Sequence, residues 1–196
     1  ELLKLIQENE IGKIKRIESS FGFKVRKINK KSRLFNSELG GGAILDLGCY
    51  PISFFQLFFN KNEKLRLINV KGSLATTGVD DYAKIDFLSE QNIELNAKIS
   101  LRENLKNNCK IYGTDGIIIV PSPWLPSKKS YLEIIKDNSY YKKFINTDKN
   151  VYTIQIENVS NKFNKIENEK NKLLVDINSS VHIMKTLDLW RKKINK

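Results

Sequence analysis

Histidine and cysteine are scarce in this chain of 196 residues: His182 is the lone imidazole, and Cys49 and Cys109 are the two thiols. One histidine and two distant cysteines, with no CxxC, argue against a zinc site and leave no metal to expect. Two thiols in a chain of this size fit a reducing, cytoplasmic setting better than a disulfide framework. Long apolar runs are missing too. The longest, from Ile52 to Phe59, is interrupted by Ser53 and Gln56 and falls well short of the roughly 20 residues that span a bilayer. The chain opens Glu1-Leu2-Leu3-Lys4, without an initiator Met or a basic start followed by an apolar segment, so no signal peptide is read. That start suggests a fragment, or a chain whose first residues were removed. No G-x-G-x-x-G follows a strand pattern, and no βαβ unit precedes Gly12.

What is present is basic: 34 Lys and Arg against 22 Asp and Glu give a net charge of +12. Such a balance raises a nucleic-acid reading. The basic residues are mostly Lys, spread along the chain and mixed with Asn and Ile, as an AT-rich coding bias would leave them. Clusters such as Lys27-Ile28-Asn29-Lys30-Lys31 read as a solvated loop, and no RNP, helix-turn-helix or zinc-finger pattern accompanies them. No nucleic acid and no membrane are therefore expected as partners. At 40% hydrophobic and 29% charged, the composition is that of a globular protein with a sizeable core.

Periodicity gives the elements. Glu1 to Asn9 reads as the end of an amphipathic helix, stopped by Gly12. Lys13 to Lys24 reads as a strand with Ile17, Ser19, Phe21 and Phe23 on one face. A basic loop then leads to Gly40-Gly41-Gly42, and Ala43 to Phe59 reads as a mostly buried helix that Pro51 should break near Cys49. Strands are expected over Lys64–Thr76, Asp81–Leu88, Asn92–Arg102, Asn108–Gly113, Gly116–Pro121, Ser130–Lys136 and Tyr140–Thr147. In the clearest of them Ile93, Leu95, Ala97, Ile99 and Leu101 alternate with Glu94, Asn96, Lys98 and Ser100. Turns fall at Thr114-Asp115-Gly116 and Asp137-Asn138-Ser139. Helices follow over Val151–Phe163 and Ser179–Ile194, the latter capped by Ser179 or Ser180, with a loop from Asn164 to Lys172 between them. The expectation is one α+β domain over 1–196: an inter-domain helix end over 1–12, a sheet with an inserted helix 43–59 over 13–150, and closing helices over 151–196.

Chemistry gathers at the glycine triplet. Asp46 and Tyr50, at i,i+4, share a helix face, and the apolar Ala43, Leu45 and Leu47 suggest a buried carboxylate. Asp46 and Tyr50 look like half of a proton-transfer site. Each also has a plain structural reading: Tyr50 as an interior aromatic with a bonded hydroxyl, and Asp46 as a carboxylate favoured at a helix start. The glycines read as close backbone approach, a hinge, or an anion-binding helix start.

The run Gly40-Gly41-Gly42-Ala43-Ile44-Leu45-Asp46-Leu47-Gly48-Cys49-Tyr50 resembles the GGG-x-x-x-D-x-G-x-(H/Y) signature of the Gfo/Idh/MocA oxidoreductases. Ile11-Gly12-Lys13-Ile14, Ile111-Tyr112-Gly113-Thr114-Asp115-Gly116, Pro123-Trp124-Leu125-Pro126 and Met184 to Arg191 resemble further segments of that family. Tyr50 stands where His is frequent, which resembles the branch of dihydrodiol dehydrogenase and glucose–fructose oxidoreductase. The resemblance implies a C-terminal α+β domain with a large open, mainly antiparallel sheet packed on one side by helices, like the C-terminal domain of glyceraldehyde-3-phosphate dehydrogenase. It further implies an NAD- or NADP-dependent dehydrogenase acting on a sugar or polyol, with the dinucleotide held mainly by a Rossmann domain that these residues do not contain. It assigns catalysis to Tyr50 and Asp46, with a lysine from that other domain, and implies a homodimer through the open sheet face. Arg33 resembles a substrate-binding arginine, though it also reads as a solvated loop residue, and Trp124 fits either a substrate mouth or packing. The alternative is a non-catalytic binding or assembly module that kept the fold.

Overall fold

A computed structural model describes residues 1–59, 63–166 and 175–194. Eight strands form one sheet: β1 (Ile14–Gly22), β2 (Arg66–Leu74), β3 (Asp80–Leu88), β4 (Glu94–Ser100), β5 (Asn108–Gly113), β6 (Gly116–Pro121), β7 (Lys129–Lys136) and β8 (Ser139–Asn146), in the spatial order β2-β3-β4-β1-β5-β6-β7-β8. Every neighbouring pair is antiparallel except one, in which β1 lies parallel to β4 with Ile17 opposite Leu95. The strands match the alternation in the sequence because the sheet has two unlike faces. Ile17, Ile85, Leu95, Ala97, Ile99 and Ile111 are fully buried on one. Glu18, Asn96 and Lys110 lie side by side on the other.

The ends of β4 are trimmed from the expected Asn92–Arg102. Asn92 turns away at φ 60°. Ser100, read as part of the polar face, is buried because its hydroxyl accepts the backbone N–H groups of Arg102 and Glu103, both at 3.1 Å. The β7–β8 hairpin turns on Asp137 and Asn138, both at positive φ, as a two-residue turn of that hand requires.

Helices cover the apolar face. Helix α1 (Leu2–Gln7) ends earlier than Gly12, because Asn9 already adopts φ 57°. The helix expected over 43–59 is two, α2 (Ala43–Leu47) and α3 (Cys49–Phe55), followed by a 3-10 turn over Gln56–Phe58. Pro51 accounts for the break: it has no N–H to donate to Leu47 four residues back, and its ring crowds that carbonyl. Helix α4 (Val151–Phe163) starts where expected, with Asn150 Oδ1 accepting Thr153 N–H at 2.9 Å. Helix α5 (Ile177–Ile194) starts earlier than expected. Its cap is Asp176, whose Oδ1 accepts Ser179 N–H at 2.8 Å, so Ser179 and Ser180 lie inside the first turn. The loop expected over Asn164–Lys172 is described only to Ile166, and the remainder lies outside the described residues.

Helices α2, α3 and α5 pack on one another and on β1 to β4. Trp190, Phe55, Ile44 and Ile52 fill the space between them and the sheet, each at most 1% exposed. Truncating such a core residue to alanine costs roughly 2–5 kcal/mol.

Candidate functional site

The glycine triplet is a close approach, not a hinge. Gly40 sits at φ 72° and Gly42 at φ 118°, conformations that L side chains rarely adopt. A Cβ on Gly41 would lie 2.7 Å from the Asn36 carbonyl oxygen, and one on Gly42 would lie 2.4 Å from Asp80 Oδ1. Asp80 comes from the start of β3, is only 6% exposed, and its Oδ2 accepts Ile44 N–H at 2.6 Å. The α2 N-terminus therefore holds an anion, and the anion is internal. Burial pushes the Asp80 carboxyl above its ordinary value, while its bond from Ile44 N–H and the charge of Arg191 on α5 pull it back. No local pattern marks Asp80 for this role, because it is remote from the triplet in the chain.

Anchored in this way, α2 directs Asp46 towards the loop that precedes the triplet. Asp46 forms an ion pair with Arg33, thirteen residues earlier. Its side chain is 17% exposed, against 71% for Arg33. The buried setting expected for Asp46 is found only in part: the carboxylate is half-buried and meets a cation reaching in from solvent. Arg33, for its part, is no free loop residue.

Tyr50 lies one helical turn on, past the break, and is 40% exposed. It is not an interior aromatic. Its ring stands edge-on to Phe21 of β1, centroids 5.1 Å apart, and is tilted against Trp124 at 5.7 Å. Phe21 and Trp124 stack at 5.8 Å, and Phe54 of α3 meets Trp124 edge-on at 5.9 Å. Trp124 Nε1 donates to the Ser20 carbonyl at 3.2 Å, which fixes the indole. The site is therefore an aromatic ledge ending in an exposed phenol, with the Arg33–Asp46 pair beside it. Alternation puts Phe21 on the same face of β1 as Ile17; its contact with Tyr50 needed the tertiary fold.

Burial raises the Tyr50 pKa above the ordinary value near 10; the charges of Cys49, Asp46 and Tyr152 add to the rise, and Arg33 opposes it. The residues of this chain alone thus favour a protonated phenol. Burial likewise raises the half-buried Cys49 thiol, and it pushes buried Cys109 up to about 12, so neither is an activated nucleophile. His182, expected on the surface of the last helix, is partly covered and lines a small cavity with Ile52, Phe55 and Phe59.

The sequence profile of the Gfo/Idh/MocA C-terminal domain matches residues 1–119. The chain belongs to the Gfo/Idh/MocA family. Within it, trans-1,2-dihydrobenzene-1,2-diol dehydrogenase of Xenopus tropicalis is 34% identical over 128 residues, 65% of this chain and 38% of that protein. The Xenopus laevis protein of the same name is 35% identical over 130 residues, with the same coverage. The Gfo/Idh/MocA domain described here thus spans less than two fifths of the curated relatives it matches. Solved structures agree on the fold. A 3-ketoreductase variant from Actinomadura kijaniata, in complex with TDP-benzene and NADP, superposes with a TM-score of 0.82 at 15% identity, over 97% of this chain and 57% of that one. An aldose–aldose oxidoreductase from Caulobacter crescentus, complexed with glycerol, gives 0.75 at 16% identity, with the same shares. The sheet order and one-sided helix packing are those of a Gfo/Idh/MocA C-terminal domain. Among the described residues no helix is long and apolar enough to cross a membrane.

Proposed function

We propose that this domain forms the substrate-side wall of an NAD(P)-dependent dehydrogenase acting on a sugar, polyol or related vicinal diol. The observation that carries the reading is the exposed Tyr50 phenol on its aromatic ledge, one turn from an Arg33–Asp46 pair. The residues present fit the reacting end of a nicotinamide cofactor, because the ledge is open and apolar and ends at a proton-transfer group. They do not fit its phosphates at the triplet, where the N–H of Ile44 is taken by Asp80. A bound nicotinamide dinucleotide supplies the hydride acceptor.

The chain's own residues do the rest. As a carbinol carbon is oxidised its hydroxyl proton must leave, and Tyr50 is within reach of a substrate lying on the Phe21–Trp124 ledge. A tyrosine whose pKa is raised is a poor base at neutral pH, so Tyr50 needs a cation beside it. Arg33 supplies part of that field, and a lysine from the dinucleotide-binding domain supplies the remainder. Asp46 holds Arg33 in place and accepts from a neighbouring substrate hydroxyl; Arg33, mostly exposed, donates to another. The two free thiols fit a reducing compartment such as the cytoplasm.

The open face of the sheet is proposed as a homodimer interface. On it Glu18 accepts from Tyr112 at 2.7 Å and pairs with Arg16 at 3.3 Å. Toward β8 the face turns apolar through Ile135 and Phe144, which are 36% and 67% exposed. A polar centre with an apolar margin suits a wet interface.

The decisive experiment is Tyr50→Phe in the intact enzyme, assayed with NAD and NADP against a panel of aldoses, polyols and trans-diols. Turnover should fall by about 10²–10⁴-fold, the usual worth of a general base, with substrate binding retained. Normal turnover would sink the reading. Loss of dimerisation in Phe144→Glu, measured by light scattering, tests the interface separately.

A further inference from the structure

Helices α4 and α5 carry apolar residues at the same spacing and meet opposite fates. In α5, Ile183, Leu187 and Trp190 follow one another at four and three residues and are buried to 7%, 1% and 0% exposure. In α4, Tyr152, Ile156, Val159 and Phe163 repeat that spacing and stay 63%, 67%, 51% and 86% exposed. No residue of α4 is buried, and among the described residues no helix or strand packs extensively on it. A helix of 13 residues is marginal in water by itself. A continuous apolar stripe on such a helix marks a surface that another body covers.

We propose that this stripe is the docking seam for the dinucleotide-binding domain, the body that must bring a nicotinamide to Tyr50; the proposal rests on the dehydrogenase reading above. The stripe begins at the candidate site, since the Tyr152 phenol lies near enough to Tyr50 to act on that residue's ionisation. Any domain delivering a nicotinamide to Tyr50 therefore lies against the first turn of α4. The stripe then continues along the helix for three more turns, giving that domain a track rather than a point of contact. The entry side agrees. Glu1 pairs with Lys143 of β8 at 3.7 Å and Glu10 accepts from Tyr141 at 2.7 Å, so a domain joined ahead of α1 emerges at the sheet edge from which α4 departs. The matched dehydrogenases carry more than half their length outside the segment they share with this chain, ample for such a domain.

The test uses the full-length natural polypeptide and an Ile156→Glu/Phe163→Glu variant, neither position being part of the proposed catalytic set. Hydrogen–deuterium exchange should find α4 amides protected at least tenfold over an unfolded peptide, at a level unchanged across a tenfold range of protein concentration. The variant should lose that protection and at least tenfold in kcat/KM, while β4 stays protected and NADPH fluorescence titration gives an unchanged Kd. An unprotected α4 in the full-length protein overturns the proposal. So does protection that rises with concentration, which would make a second copy the occupant, and so does a variant with full activity. Tyr50→Phe separates the two readings: a dead Tyr50→Phe enzyme beside an active stripe variant removes the docking seam alone, whereas an active Tyr50→Phe enzyme removes the dehydrogenase reading beneath it.

Discussion

The buried carboxylate of Asp80 accepts the Ile44 backbone N–H at 2.6 Å, tying the start of β3 to the first turn of α2. Through that bond the sheet sets the position of the helix that carries Asp46. Side-chain caps of this kind contribute on the order of 1 kcal/mol, more when the group left unpaired is buried.

Asp80→Ala should therefore destabilise the domain by about 1–2 kcal/mol, read by urea unfolding at neutral pH. Asp80→Asn keeps an acceptor for Ile44 and removes a buried charge, so it should cost less or stabilise. The sign follows from the raised carboxyl: the folded state binds this proton more tightly than the unfolded chain, so stability is lost as pH rises from the ordinary carboxylate range through the raised value. Asp80→Asn should abolish that loss. Equal damage from Asn and Ala would refute the account.

Gly42→Ala places a Cβ 2.4 Å from Asp80 Oδ1 at a backbone φ of 118°. The expected cost is about 1–3 kcal/mol of strain. The Gly42→Ala/Asp80→Ala double variant should lose less than the sum of the two single variants, because the clash is with the removed carboxylate and only the backbone strain at positive φ remains. A strictly additive cycle in calorimetry would count against the contact.

Asp86 behaves in the opposite sense. Burial alone would raise its carboxyl, but bonds from Asn96 Nδ2 at 2.7 Å and Asn69 Nδ2 at 3.0 Å, with Lys84 Nζ at 3.3 Å, bring it below the usual carboxylate range. Its contribution to stability is thus present above the unfolded pKa and is lost as pH falls through the lower folded value. Asp86→Asn should flatten the acid limb of the stability curve below about pH 4, measured by denaturant melts. An acid limb like that of the parent protein would show that this network carries no net weight.

Tyr50 should report on its charged neighbours. Arg33→Met removes the cation that favours the phenolate, so the Tyr50 titration should move up; Asp46→Asn should move it down. Ultraviolet difference titration against Tyr50→Phe isolates this phenol from the other six tyrosines. An unmoved Tyr50 titration in both variants would mean that the ion pair does not act on Tyr50.

Much of the architecture was legible because it rests on local rules. Residue patterning placed all eight strand ranges to within a few residues, and it set the faces of the central strands, where one side is dry. Pro51 announced the break between α2 and α3, and the glycine run announced a close approach, although three explanations remained for it. The cap of α5 lies three residues ahead of Ser179, because Asp176 outcompetes Ser179 for the helix start in three dimensions while both are acceptable caps in one.

What the sequence determined by itself was the set of two-faced elements and the i,i+4 pairing of Asp46 with Tyr50, because both follow from backbone periodicity. What only the tertiary structure decided was who meets those elements: β1 inserted in parallel beside β4, Asp80 under Gly42, Arg33 on Asp46, Phe21 and Trp124 against Tyr50. Each of these is a contact between residues distant in the chain, chosen by packing and charge, and no local pattern encodes it. The stripe on α4 follows the same logic: its spacing is written in the sequence, but only the fold reveals that this domain leaves it bare.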